Sequence, residues 1–479
     1  MIYTSWRRKA SWTLCSPAAV NRRHRIAKDR PPPDFNRNDI SKAVLKVSDF
    51  EKMLQRELSE IIKKHGMFMD GRPGGARAVI RDRDLSGLSF VEARLSQSDF
   101  TGCILRNCDF TDAVFISATL FGCDMTGAKL HHTNLSRADL RGADIAQADL
   151  RGAILDGADL REGASIIRHQ QRESGDGSSI YRDSGSSGHV ILAGSDLSGA
   201  SLQNAHATQA DFGDANLSGA DLSGAKLQNA NLDGTDLTGS KMEKTDLRAA
   251  SLKGAILIDA EIENADIKDA DLTGALTDAL AGHDFGEVEL TLDEMLLRHT
   301  EWVASAGRNG KRLDLTDYDM RKIGSVSGLR LTAIKAVNTV FAGVVFAGAE
   351  VQSAVLDGSD FRKCDMRRID LRASSLNGAV LNRADLRQAR LNFLAFQKDG
   401  VEKHTPCRLE GAWLRYADLT GASLREAVLT GADLSFADLT DCDLRGADLR
   451  GADLTGVVWN NTQTSDAVFD PGIEIPQSL

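Results

Sequence analysis

Aromatic residues and proline are scarce in this 479-residue chain, at 5% Phe, Trp and Tyr together and eight prolines. A large globular core of the usual kind uses more aromatic bulk, so a regular architecture built on small residues is expected. No run approaches the ~20 consecutive apolar residues of a membrane-spanning helix, which argues against an integral membrane protein. Seven cysteines are too sparse, and odd in number, for a disulfide-stapled secreted scaffold. There is no C-x-x-C and no other metal-ligand spacing. There is no G-x-x-x-x-G-K-[ST] loop and no G-x-S-x-G elbow. Carboxylates abound, but a catalytic pair needs a cleft that shifts its pKa. The chain is therefore read as non-enzymatic, with no catalytic, cofactor-binding or metal-ligating residues and no cofactor. His131-His132 is the only tight histidine cluster; adjacent residues on a coil are expected to point apart, against a shared metal.

Charge is present but unevenly spread. The formal net charge is −10, yet residues 1–33 carry eight Lys/Arg and one acid. This segment ends in Pro31-Pro32-Pro33 and has no periodicity. Its apolar stretch, Trp12–Val20, is short and interrupted for a secretory signal. Residues 1–38 are read as a disordered basic tail, and the protein as cytoplasmic.

What the sequence has in abundance is a five-residue period. From Ile80 a large apolar residue recurs every fifth position (Leu85, Phe90, Leu95, Phe100) to Leu160, seventeen positions without a miss. The period resumes in new phases from Leu192 to Leu272, at Leu315 and Met320, from Val326 to Phe396, and from Leu409 to Leu454 with Trp459 as a last centre. Two residues before most centres stands a small residue, such as Ala93, Ser98, Cys103 or Ala113. Neither a helix nor a flat strand has this period. A coil of four short sides does, with centres and small residues inward, polar positions outward, and residues 20 apart stacked at ~4.8 Å. About 15 such coils would make roughly 70 Å of rod if continuous.

Six cysteines (Cys103, Cys108, Cys123, Cys364, Cys407, Cys442) occupy the small inward position and read as core thiols. Cys103 and Cys123 would stack within disulfide reach, but such a position favours reduced thiols.

The repeats Ala138-Asp139-Leu140-Arg141-Gly142 and Ala447-Asp448-Leu449-Arg450-Gly451 resemble the A(D/N)LXX motif of the pentapeptide repeat family. The resemblance covers about two-thirds of the chain. It implies an all-β solenoid, a right-handed quadrilateral parallel β-helix, and says little about function.

Two non-repeat segments match each other. Leu58 to Met69 and Leu292 to Val303 share L-x-x-[IM]-[IL]-x-x-H-x-x-[FW]-[MV], followed by glycines, then Arg77 or Arg312, then a repeat run. Both are helical by periodicity. Thr291 and Glu294 predict a capping box, and Gly66 and Gly307 predict helix stops. The expected organisation is two duplicated units, each preceded by a capping helix. The divisions are the tail 1–38, a capping helix in 39–70, runs at 71–160 and 190–290 around a flexible loop at 161–189, and a second capping helix in 291–311. Runs at 312–396 and 409–470 then flank a loop at 397–408, before the tail 471–479. Phe68 and Trp302 are expected to plug the open coil ends, and His65 and His299 to bond backbone there. These four are the candidate capping or interaction residues.

Charge along the runs is the remaining signal. Residues 190–290 carry 18 acids and 6 bases, peaking at Asp259, Glu261, Glu263, Asp266, Asp269 and Asp271, a candidate acidic surface. Residues 315–396 carry 8 acids and 12 bases, among them Arg362, Lys363, Arg367, Arg368, Arg372, Arg383, Arg387 and Arg390. Opposite signs predict docking within the chain or head-to-tail association. The functional expectation is a scaffold or adaptor presenting an elongated surface to an unknown protein partner, with possible self-association and no direct nucleic-acid binding. The alternative, drawn from the gyrase-protecting branch of the family it resembles, is mimicry of DNA toward a topoisomerase. The basic third run departs from that pattern.

Overall fold

The computed structural model describes residues 50–163, 188–285, 290–398 and 401–472, with strand residues 172–173 and 179–180. The basic tail, Cys15 and most of the 161–189 loop lie outside them.

Parallel bridges join residues 20 apart in unbroken columns, as in Val79–Asp99–Thr119–Asp139–Asp159. Each pentapeptide is one side of a coil. The N–H of a centre donates to the coil above (Leu120 N to Asp139 O, 2.8 Å), and the N–H of the preceding residue donates to the coil below (Asp139 N to Ala118 O, 2.9 Å). The corner closes on a bond from the small residue back to the previous centre (Ala138 N to Leu135 O, 2.9 Å). The second residue after each centre has positive φ, for example +69° at Gly102 and +54° at Asn107. That conformation is free for glycine and tolerable for Asn and Asp, hence their alternation at the corners.

Centres and small residues are buried along the inner coils, whereas in the last coil of the first rod Ile262 and Ile267 are 39% and 43% exposed. A hydroxyl or thiol is accepted at the small position because the coil beneath offers a carbonyl. Cys123 Sγ donates to Phe100 O (3.0 Å), Thr133 Oγ1 to Phe110 O (2.8 Å) and Thr235 Oγ1 to Phe212 O (2.9 Å). A satisfied polar group carries no burial penalty of the unpaired kind. Aromatic centres one coil apart stack, as Phe90 on Phe110 (4.6 Å) and Phe341 on Phe361 (5.2 Å).

The columns run straight across both insertions: Asp159 pairs with His206 and Ser375 with Arg408. The slip near residue 320 is real: Asp314 pairs with Lys335 and Asp319 with Val340, 21 apart. A single 3-10 turn, Arg321–Ile323, absorbs the extra residue and ends on Gly324 at φ +69°.

Short strands open each rod. β1 (Glu51–Lys52) pairs in parallel with β2 (Arg83–Asp84). Helix α1 (Gln55–Met69) lies between them. β3 (Arg172–Glu173) and β4 (Ser179–Ile180) pair antiparallel in the first insertion. β5 (His283–Asp284) pairs in parallel with β6 (Tyr318–Asp319), around helix α2 (Leu292–Ala304). The Thr291–Glu294 capping box forms. Gly66 does not stop α1, which continues to Met69. The second insertion is a hairpin, β7 (Leu394–Lys398) with β8 (Val401–Thr405). Phe396, expected as a repeat centre, sits in β7 and is 46% exposed. Antiparallel pairing claims its backbone, and Leu391 is the last buried centre of that run.

The runs do not make one continuous rod. Two separate cores form, one from Met53 to Leu257 and one from Leu313 to Ala452. Allowing for the insertions, they are roughly nine and seven coils, or ~40 and ~35 Å. The rods lie side by side with opposite polarity. Residues 277 and 279 of the first meet 321 of the second, 254 meets 362, 236 meets 363, and 214 meets 415.

Candidate functional site

The two rods meet along a seam of apolar, ionic and hydrogen-bonded contacts. At the crossover end it is apolar: Ile256, Leu276, Val340 and Ala342 form a buried cluster flanked by Ile258. Ile256 and Val340 stand immediately before repeat centres, where Asp is usual, and Leu276 holds the same register one coil above Ile256. An apolar side chain in that outward slot is compatible with lateral packing but does not single it out, since Val355 and Trp413 occupy the same slot outside the cluster.

Beyond this knot the seam is polar. Asp360 accepts Arg362 Nε at 2.9 Å and Nη2 at 2.5 Å. The remaining nitrogen, Nη1, donates to Gly254 O (2.6 Å) and Gly274 O (3.4 Å) in successive coils of the first rod. Arg321 is held the same way by Asp319 and reaches Thr277 O (2.7 Å) and Ala279 O (2.9 Å). Lys363 Nζ lies 2.5 Å from Asp236 Oδ2 and 3.2 Å from Thr238 Oγ1. Arg415 Nη2 lies 2.5 Å from Asp214 Oδ2.

At the far end the Tyr416 hydroxyl rests on Gly194, where any β-carbon would collide with it. Tyr416 stacks on Phe436 at 5.0 Å, and the Arg383 guanidinium lies over its ring at 5.2 Å. Arg383 Nη2 is buried without a hydrogen-bond partner among the described residues. Burial pushes Arg383 below its usual range, against the pull of Asp214 and Asp236. Burial likewise pushes the Asp214 carboxyl and the Tyr416 phenol up.

The basic residues of the third run thus divide. Arg362, Lys363 and Arg383 enter the seam. Arg367, Arg372 and Arg387 are each clamped by the Asp two residues before, and Arg390 lies 3.2 Å from Asp370. Arg368 Nε donates to Gln388 Oε1 at 3.0 Å. The same Asp-x-Arg clamp binds carboxylates elsewhere, at Asp139–Arg141 and Asp246–Arg248.

His65 and His299 occupy matching positions. Nδ1 of His65 accepts from Ala78 N (2.9 Å), so its Nε2–H donates to Ser96 O (3.0 Å). Nδ1 of His299 accepts from Leu313 N (3.1 Å) and Nε2–H donates to Thr332 O (2.9 Å). Burial lowers both pKa values. Phe68 is 41% exposed and Trp302 half-buried; each flanks its histidine at 5.8 Å. The fully buried side chain on α1 beside His65 is Leu58, which joins the first core.

Asp259, Glu261, Glu263, Asp266 and Asp269 are exposed and Asp271 is half-buried, all in the last coil of the first rod and outside the contacts of the seam. The six core cysteines are buried and free. His131 and His132 do not point apart: their rings stack at 4.5 Å. Among the described residues no three His, Cys, Asp or Glu side chains are placed to hold a metal. Among them, too, no helix is long and apolar enough to cross a membrane.

Comparison with curated proteins returns no match. Among solved structures, the chain is similar to the pentapeptide repeat protein Rfr23 of the cyanobacterium Cyanothece (23% identity, 28% of this chain and 87% of that one, TM-score 0.23). It is similar to QnrB1, a plasmid-mediated fluoroquinolone resistance protein (20%, 42% and 92%, TM-score 0.25). It is also similar to HetL of Nostoc, a pentapeptide repeat protein involved in heterocyst differentiation regulation (18%, 88% and 100%, TM-score 0.13). The family profile for pentapeptide repeats matches repeatedly, over residues 89–127, 123–161, 189–219, 215–254, 235–274, 364–398 and 407–446. With 20-residue coils closing on small inward residues, and this profile matched in both rods, the chain belongs to the pentapeptide repeat family.

Proposed function

We propose that the protein is a non-enzymatic scaffold built from two duplicated units, each a β-helix opened by a capping helix, that presents long regular faces to a protein partner. Duplication is supported by contacts that repeat as a set. Ala76 N donates to Lys64 O and Lys311 N to Arg298 O, both at 3.0 Å. Arg77 Nε donates to Gln97 O at 2.5 Å and Arg312 Nε to Ala333 O at 2.6 Å. Both histidines bridge helix to coil.

One observation carries the scaffold reading. A face of the second rod already binds a protein surface, the first rod, through the Arg321 and Arg362 guanidinium groups, held by carboxylates of their own coils, and through the Lys363 ammonium. Elongated repeat surfaces bind macromolecules in this manner. Mimicry of DNA is less well supported. Asp139, Asp149, Asp159 and Asp246 are each bound by an arginine two residues on, and Arg367 and Arg387 pair with Asp365 and Asp385 in the acidic column of the second rod.

The test is a tagged pull-down from native lysate at low and high salt, read by mass spectrometry. A specific protein captured in both repeats of the experiment supports the scaffold. Topoisomerase subunits, lost at high salt, would replace it with the mimic.

A further inference from the structure

The seam shows how one β-helix binds another, and the same device stands unused a quarter-turn away. Arg362 works because Asp360 occupies Nε and Nη2 and leaves Nη1 projecting toward the carbonyls of successive coils. Arg367 and Arg387 carry the same clamp, each Nε lying in addition 3.6 and 3.5 Å from the carboxylate of the next coil, Asp385 and Asp418. Asp365 accepts Arg367 Nε at 2.8 Å and Nη2 at 2.6 Å; Asp385 accepts Arg387 Nε at 2.8 Å and Nη2 at 2.5 Å. The two arginines are 20 residues apart, so they stack one coil above the other. Neither Nη1 has a hydrogen bond among the described residues, and the side chains are 50% and 48% exposed. The comparable stacked pair in the first rod, Arg141 and Arg161, is less free, since Arg141 is spread over the Phe121 ring at 5.4 Å.

A complementary row of acceptors lies at the end of the first rod. In inner coils the carbonyl of each small residue accepts from the coil above, as Ala220 O does from Lys241 N (2.8 Å) and Ala250 O from Asp271 N (3.0 Å). No donor reaches Ala265 O or Ala270 O among the described residues, and Ile262 and Ile267 of the same coil are 39% and 43% exposed. Glu261, Glu263, Asp266 and Asp269 rim this end, so its potential favours cations.

We propose that the Arg367–Arg387 face docks on the open last coil, residues 258–276, of a second copy of this chain, each Nη1 donating to a carbonyl there as Arg362 does at Gly254. This rests on the scaffold reading and names one partner and one face for it. The contact joins different surfaces, so it does not close on itself and chains can extend.

The test is sedimentation of the full-length protein across concentration and salt. At low salt the mass should rise with concentration from 51.7 kDa to at least twofold, and return to the monomer at high salt. Arg367→Gln with Arg387→Gln should be monomeric with an unchanged circular dichroism spectrum. Glu263→Lys with Asp266→Lys removes the other half and should be monomeric too. Mixed one to one, the two variants retain one good face and one good end between them and should form a dimer and nothing larger. Wild-type protein monomeric at every salt concentration overturns the proposal, as does a double-arginine variant that assembles like wild type. If that variant still captures another protein from lysate, the scaffold reading stands and only this face is lost.

Discussion

Lys363 of the second rod ends 2.5 Å from Asp236 of the first, whose carboxylate is almost wholly removed from solvent. The pair joins residues far apart in sequence and fixes the level at which the rods meet. With Arg415–Asp214 it makes the polar half of the seam, while Ile256, Leu276, Val340 and Ala342 make the apolar half.

Lys363→Gln combined with Arg415→Gln leaves two carboxylates buried without their cations. Breaking a buried pair costs on the order of 3 kcal/mol. The rods are expected to part at the ionic end while each keeps its own core. Small-angle scattering should show a larger radius of gyration with an unchanged circular dichroism spectrum; identical scattering would show that these pairs do not hold the seam.

Gly194→Val places a side chain where the Tyr416 hydroxyl lies, and adds the strain of a β-branched residue at φ +67°. Faster amide exchange is expected at the 194 and 416 corners. Tyr416→Ala in the same chain should relieve the collision, giving a double-mutant coupling of about 1–3 kcal/mol. Strict additivity would mean that the two residues do not touch.

The capping histidines predict an acid-sensitive fold. Each Nδ1 accepts a backbone N–H, so protonation must break that bond, and burial holds both pKa values below the ordinary 6.5. The unfolded chain then takes up protons first. Stability is complete above pH 6.5, falls as pH drops below it, and levels off beneath the lowered native value. His65→Ala and His299→Ala should each lose about 1–3 kcal/mol at neutral pH and weaken the pH dependence in denaturant titrations. A slope unchanged in the double variant would remove the histidines as its cause.

The core thiols should be inert. Burial pushes Cys103, Cys108 and Cys407 up to about 12 and raises Cys123, Cys364 and Cys442 as well. Iodoacetamide at pH 8 should label none of the six in native protein and all six in denaturant, by peptide mass spectrometry. Labelling of any one in native protein would place it outside the core.

Leu391 and Phe396 occupy the same repeat register but different structure. Leu391→Ala should cost about 2–5 kcal/mol. Phe396→Ala should cost about 0.5 kcal/mol or less, as surface substitutions do. Comparable losses in thermal unfolding would return Phe396 to the core.

The five-residue period was legible because each coil is local. A centre, a small residue and a corner recur within five positions, and burial of one side demands them at every turn. The same locality made the insertions, the one-residue slip and the matched helices readable. Phe396 misled because a hairpin can begin in register with the repeat and then divert its backbone.

What the sequence determined by itself is therefore the coil, its core and the identity of its small inward residues. How the two rods associate was decided only in three dimensions. The opposite charges of the second and third runs allowed docking within the chain or between chains, and counting charge does not distinguish them. Which face of a four-sided rod meets another depends on which column of outward residues is complementary over several successive coils. Ile256, Asp236 and Asp214 on one rod meet Val340, Lys363 and Arg415 on the other only when the chain reverses between them.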